Sequence, residues 1–194
     1  MKELLILRHG ITVWNELKIT QGRTNNSLSE RGEKEVENTA LAFKDKKVDL
    51  IYCSPLKRTI QTAEIFNFFH NSPIIFDDRL IEIDQGIFSG RSTKDLTDEE
   101  RVLKRARDKT CGMESVESVF NRVKDFWFDI SKNCKNDCVL IVTHDVVAGI
   151  LEEIVKDPEI EFSRHDASIE FKNAQLKSFN LENINASKDD ENII

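Results

Sequence analysis

Three short apolar runs limit the folds open to this chain: residues 4–7, 48–53 and 138–143. Each is mostly apolar at successive positions, so both faces of the strand it would form are buried. That is the pattern of strands in a parallel sheet covered by helices, because an antiparallel sheet with one wet face alternates instead. A further run, Ile74-Ile75-Phe76, reads as a fourth strand.

Helical periodicity fills the intervals. Ser29 is placed to cap a helix that buries Val36, Ala40 and Phe43. Ser54-Pro55 reads as a cap followed by proline at the first helical position, opening a helix with Ile60, Ala63 and Ile65. From Val116, the residues Val119, Phe120, Val123, Phe126, Trp127 and Ile130 recur at three- and four-residue steps. Strands alternating with helices give an α/β fold: three layers, a mostly parallel central sheet with helices on both faces. Residues 168–171 and 175–179 flank Lys172-Asn173-Ala174 and predict a terminal hairpin. Residues 1–181 are expected to form a single domain, and the polar residues 182–194 a loose tail.

Composition narrows the function classes. With 28 basic and 35 acidic residues the net charge is −7, which argues against a nucleic-acid-coating surface and against a polybasic membrane patch. Residues 4–7 are too short for a signal-peptide core, and no run reaches the ~18 apolar residues a spanning helix needs. The cytoplasm is the expected compartment. Cys53, Cys111, Cys134 and Cys138 include no CxxC pair, so free thiols are expected rather than disulfides or a zinc site.

The chemistry gathers where the runs end. In open α/β sheets, ligands bind beyond the carboxyl ends of the strands. Arg8-His9-Gly10 follows the first run, Arg58 follows the second within a helical turn, and His144 follows the third. Two guanidinium groups and two imidazoles are therefore expected in one crevice, a set suited to a phosphoryl group. A neutral imidazole can attack phosphorus through one nitrogen if an acceptor holds the other as N–H, which makes His9 a candidate nucleophile. Gly10 would let the backbone turn sharply and approach the substrate. The bland alternative is a strand that simply ends in polar residues.

Further segments extend the pattern: Thr12 and Asn15, Gln21-Gly22-Arg23, Leu28-Ser29-Glu30-Arg31-Gly32, the run from Ser54 through Ala63, Leu80-Ile81-Glu82 with Gly86 and Gly90, and Val142-Thr143-His144. In this order they resemble the histidine phosphatase superfamily, phosphoglycerate-mutase-like branch, from residue 4 to about residue 180. The resemblance implies that His9 is phosphorylated and that Glu82 donates the proton. It also implies a phosphate pocket of Arg8, Arg58 and His144, with further contacts from Gly10, Thr12, Asn15, Gln21 and Gly22. One departure is Asp145, where many members of this branch have glycine. A distant branch uses an Asp after the second histidine as its acid, so Asp145 rivals Glu82; otherwise it would cap the helix beginning at Val146. Lys104, Arg105, Arg107 and Lys109 either cover the substrate or form a solvated face paired with Asp98, Glu99 and Glu100.

The implied activity is metal-independent hydrolysis of a small phosphomonoester, with no cofactor and with neither nucleic acid nor membrane as a partner. A mutase would use the same residues, but the short stretch between Glu82 and His144 favours open access and hydrolysis. A non-catalytic phosphate sensor is the third reading, and it would be expected to have lost His9 or Glu82.

Overall fold

In the computed structural model, residues 1–166 and 168–182 are described. They form a five-stranded sheet in the order β3-β2-β4-β1-β5. The strands are β1 (Glu3–Arg8), β2 (Leu50–Cys53), β3 (Ile74–Phe76), β4 (Cys138–Thr143) and β5 (Leu176–Asn180). β1 to β4 run parallel, and β5 pairs antiparallel with β1 from Leu7↔Leu176 to Glu3↔Asn180. The helices are α1 (Val13–Glu16), α2 (Glu30–Ala42), α3 (Lys57–Asn67), α4 (Asp98–Ala106), α5 (Val116–Asn133) and α6 (Asp145–Lys156). No helix among the described residues is long and apolar enough to cross a membrane.

Alternation along β1 divides the core between the two faces. Leu4 and Ile6 pack with Val119, Val123 and Phe126 of α5 and with Val147, Ile150 and Leu151 of α6. Leu5 and Leu7 pack on the other face with Ala40 of α2 and with Ala63 and Phe66 of α3. All six residues of β4 are buried, as a central parallel strand requires. Each such aliphatic side chain contributes roughly 1.5–3 kcal/mol of burial, so the sheet centre carries much of the apolar stabilisation. The four cysteines are free thiols.

Three expectations change. The helix after β2 starts at Lys57 with Leu56 as its cap, not at Pro55. Ser54 is drawn into the crevice instead, where its hydroxyl meets a histidine. There is no terminal hairpin: residues 168–171 are not a strand, and β5 finds its partner in β1. Alternation marks a strand but does not say which edge it will pair with. Asp145 does not cap α6 but is its first residue, with His144 in the cap position. Of the tail expected at 182–194, residues 183–194 lie outside the described residues.

Candidate active site

The parallel register sets the crevice. Arg8 lies opposite Thr143 in the β1–β4 pair, so His9 and His144 leave adjacent strands side by side. Their rings meet edge-on with centroids 5.2 Å apart. Arg8, His9, Asn15, Gln21, Gly22, Arg58, Glu82 and Asp145 line one cleft of about 200 Å³, together with Ile19, Gln85 and Val146.

His9 is 2% exposed. Its Nδ1 lies 2.7 Å from the carbonyl oxygen of Gly10. A carbonyl only accepts, so Nδ1 carries the hydrogen and the lone pair of the neutral ring sits on Nε2. Burial, then the charges of Arg58 and Arg8, hold the His9 pKa well below the ordinary value of 6.5. The ring is therefore neutral at physiological pH. The strand-end backbone is itself pinned: Gly10 N–H donates to Thr62 Oγ1 at 3.1 Å, and Asn173 Nδ2 donates to the His9 carbonyl at 3.1 Å.

Gly10 is a close-packing position and does not line the cleft. A Cβ there would come within 2.7 Å of both the Gly32 carbonyl oxygen and Val36, so its absence lets α2 close on the strand end. Gly22 has φ +50°, and a Cβ there would stand 3.0 Å from Gln85. Thr12 is buried and does not line the cleft. Its amide donates to Asn15 Oδ1 at 3.0 Å, while the Asn15 amide donates to Thr12 Oγ1 at 3.1 Å. This reciprocal cap holds Asn15 at the wall.

Arg58 is 1% exposed. Its Nη1 donates to the Thr24 carbonyl at 2.8 Å and its Nη2 to the Gly22 carbonyl at 2.9 Å. Burial lowers its pKa to about 10. Among the described residues it has no carboxylate at ion-pair distance. Arg8 is partly compensated, with Nη1 3.1 Å from Asp145 Oδ2 and also donating to the Phe171 carbonyl. His144 is fully buried, with Nε2 2.8 Å from Ser54 Oγ. Burial, followed by the Arg58 charge, pushes its pKa well below 6.5. Three buried nitrogens of this group have no hydrogen-bond partner among the described residues: Arg8 Nε, Arg58 Nε and His144 Nδ1. Unsatisfied buried polar atoms are costly; Arg8 and Arg58 line the cleft, and the His144 ring lies against that of His9 at its edge.

The carboxylates sit differently. Glu82 accepts the Ile83 amide at 2.9 Å, and burial raises its pKa despite Arg58 and Arg8. Both oxygens of Asp145 are engaged, Oδ2 by Arg8 and Oδ1 by the Phe171 amide at 2.9 Å. The loop carrying Glu82 is tied to the sheet where Thr143 Oγ1 donates to the Leu80 carbonyl at 2.8 Å. It is also gripped by Glu114, which accepts from the Asp84 amide at 3.2 Å and from Arg23 and Arg122. Arg23 Nε reaches the Glu82 carbonyl at 3.3 Å.

Ser54, Gln85 and Glu114 were not among the sequence candidates. The Ser54 signal was present but read as a helix cap, whereas Glu114 reaches Arg23 across the chain and has no local signature. The basic cluster divides: Arg105 and Lys109 are exposed, Lys104 Nζ donates to Thr20 Oγ1, and Arg107 lies in a second cavity beside the cleft. Glu100 pairs with Arg91 rather than with the cluster. Among the described residues no group of three or more His, Cys, Asp or Glu is arranged to hold a metal ion.

The model of the histidine phosphatase superfamily (branch 1) matches residues 4–186. Phosphoserine phosphatase 1 of Hydrogenobacter thermophilus is 36% identical over 152 residues, covering 75% of this chain and 72% of that protein. A protein of an Enterobacter species named "Probable phosphoglycerate mutase GpmB" is 31% identical over 157 residues, covering 78% and 73%. The α-ribazole phosphatase of Shigella flexneri superposes with a TM-score of 0.80 at 22% identity, over 91% of this chain and 89% of that one, which shows the shared fold. The chain belongs to the histidine phosphatase superfamily, branch 1, and in class it is a phosphoric monoester hydrolase.

Proposed function

We propose that this protein hydrolyses a small phosphomonoester in two steps through a phosphohistidine on His9, without a metal ion. The observation that carries the reading is the set of unpaired buried nitrogens on Arg8, Arg58 and His144 beside a neutral His9 whose Nδ1–H is held by the Gly10 carbonyl. In the first step His9 Nε2 gives its lone pair to phosphorus and the P–O bond to the alcohol breaks. The guanidinium groups and His144 receive the equatorial oxygens, whose charge grows in the transition state. Asn15, Gln21 and Gly22 stand where they contact the same group.

Glu82 donates its proton to the departing alkoxide. Its raised pKa keeps it protonated to higher pH than an ordinary glutamate. Asp145 is the weaker candidate, because both of its oxygens are occupied, one by Arg8 and one by the Phe171 amide. In the second step the Glu82 carboxylate takes a proton from water, the oxygen attacks phosphorus, and the P–N bond breaks. His9 returns neutral and inorganic phosphate leaves. The positive charge the reaction needs is supplied by arginine, which keeps it at any physiological pH.

A mutase would return the phosphoryl group to a bound product, and the similarity to the Enterobacter protein favours that second reading. Brief mixing with a phosphomonoester, quenching in base and peptide mass spectrometry should find phosphate on His9. The label should be released as inorganic phosphate, at the same rate with EDTA present. Absence of the labelled peptide would sink the covalent route. Activity lost in EDTA and restored by a divalent metal would sink the metal-free one, and transfer to a second alcohol without free phosphate would establish the mutase.

A further inference from the structure

The two buried imidazoles at the ends of β1 and β4 are held by opposite nitrogens. His9 is held at Nδ1 by the Gly10 carbonyl, which can only accept, so the ring presents the lone pair of Nε2. His144 is held at Nε2, which lies 2.8 Å from Ser54 Oγ. Its Nδ1 is buried with no hydrogen-bond partner among the described residues. A hydroxyl can donate or accept, so Ser54 by its identity leaves the tautomer of His144 open.

The surroundings decide between the two arrangements. His144 is neutral, because burial, followed by the Arg58 charge, holds its pKa well below 6.5. Ser54 Oγ has no second hydrogen-bond partner among the described residues. If Nε2–H donated to that oxygen, the hydroxyl hydrogen would have no acceptor. Nδ1 would then be a bare buried lone pair, which an anion cannot satisfy. If the hydroxyl donates to Nε2 instead, its hydrogen is used and Nδ1 carries an N–H that an anionic oxygen can accept. The other two unpaired nitrogens of the site, Nε of Arg8 and of Arg58, are donors of the same kind. The hydroxyl is also firmly placed. Ser54 is fully buried, its amide donates to the Val142 carbonyl at 3.0 Å, and its carbonyl accepts from Thr59 Oγ1 at 2.8 Å. Cys53 lies opposite Val142 in the β2–β4 pair, so the sheet itself sets the reach from hydroxyl to ring.

We propose that Ser54 is a positioning residue: by donating to His144 Nε2 it fixes the Nδ1–H tautomer, so that His144 meets the phosphoryl group as a neutral donor. The assignment rests on the phosphohistidine reading above and adds what sets its second histidine. Both rings carry the hydrogen on Nδ1, yet His9 offers a lone pair and His144 an N–H, because their partners occupy opposite nitrogens.

The tautomer is read by proton–nitrogen correlation spectra of the free enzyme labelled with nitrogen-15 histidine, above neutral pH. The His144 signals are those absent from His144→Asn. In the wild type, Nδ1 should resonate as a protonated nitrogen and Nε2 as a hydrogen-bonded, unprotonated one. In Ser54→Ala both should move towards the averaged positions of exchanging tautomers. Single-turnover phosphorylation by p-nitrophenyl phosphate should slow about tenfold in that variant. Deleting such a donor outright costs ~10²-fold or more, but here part of the population keeps the hydrogen on Nδ1. Ser54→Cys, similar in size with a weaker donor, should recover part of both readings. A wild-type His144 protonated on Nε2 would overturn the assignment. So would a Ser54→Ala variant that slows with no change of tautomer, since that marks a structural defect. Failure of the parent reading is told apart from these, because a His9 that never acquires phosphate would remove the role of both histidines while leaving the spectrum of the free enzyme as expected.

Discussion

The two ends of the site are built by different means. The phosphate end rests on the sheet: His9 and His144 follow adjacent parallel strands, and Arg58 lies in the first turn of the helix that follows a third. Its side chains are almost fully buried, and their backbone is fixed by ladder hydrogen bonds. The carboxylate end rests on loops held by side chains, with Glu114 gripping the Glu82 loop and Arg107 lining the adjoining cavity from the end of α4. The first arrangement leaves little freedom to vary the geometry, while the second can be rebuilt without disturbing the sheet. One catalytic core can therefore serve different alcohols, because charge stabilisation and alcohol recognition are mechanically separate.

The separation fails if the largest effect does not come from the sheet end. His9→Ala should lower kcat/KM by at least roughly 10⁴-fold, since it removes the covalent route altogether. Its thermal midpoint should fall only modestly, because the buried ring meets His144 edge-on but stands outside the apolar packing on the two faces of the sheet. Near-parental turnover of p-nitrophenyl phosphate by this variant would end the phosphohistidine reading.

Arg58→Ala should cost about 10³-fold, at the upper end for one charged donor. The extra loss comes from freeing the loop whose Gly22 and Thr24 carbonyls it holds. Lys57→Ala, at the exposed neighbouring position, should stay within about twofold. Similar kcat/KM in the two variants would show that the clamp lies elsewhere.

The same contrast explains what the sequence revealed. That Arg8, His9 and His144 gather at one sheet edge was legible because a buried parallel strand advertises itself by continuous apolarity, and these residues follow its carboxyl end. The helix at Val116 was legible from its period alone. Ser54 was misread because a Ser-Pro pair suits a helix cap equally well, and only the fold shows that His144 claims the hydroxyl. Residues 168–171 were misread because they alternate like a strand, while β1 already offered β5 an edge. Glu114 gave no signal, and Arg107 stood only as one of four residues in a basic cluster. Glu114 meets Arg23 across 91 positions, and Arg107 matters because its neighbours leave it unpaired.

At the join between the two ends, Glu82→Gln should slow single-turnover phosphorylation by an alkyl phosphate about 10²-fold, with much less effect for p-nitrophenyl phosphate. An acid matters most when the leaving group is poor. Asp145→Asn should slow both substrates by similar, smaller factors, because it disturbs Arg8 rather than the proton. The pH profile carries the same signs. Activity falls on the acid side only as His9 protonates, well below pH 6.5, because burial and two arginines depress its pKa. It falls on the alkaline side as Glu82 loses its proton, above the ordinary glutamate value of 4.5 because burial raises it. A leaving-group dependence found in Asp145→Asn and absent from Glu82→Gln would exchange their roles.

Glu114→Gln tests whether the loop end acts only through position, and its loss should be smaller than that of Glu82→Gln. The carboxylate accepts from the Asp84 amide and bridges Arg23, which donates to the Glu82 carbonyl, and Arg122, which donates to the Arg79 carbonyl at 2.6 Å. Neutralising it loosens the loop on both sides of Glu82 while leaving the acid itself in place. Phosphorylation by an alkyl phosphate should slow by about tenfold, and p-nitrophenyl phosphate should be little affected. A merely structural defect would slow both substrates alike. The decisive measurement is the double variant. If Glu114 acts through Glu82, adding Glu114→Gln to Glu82→Gln should cost almost nothing more in the phosphorylation step, since the positioned proton is already gone. Full additivity would mean that Glu114 supports the site by another route, and the loop would then belong with the phosphate end after all.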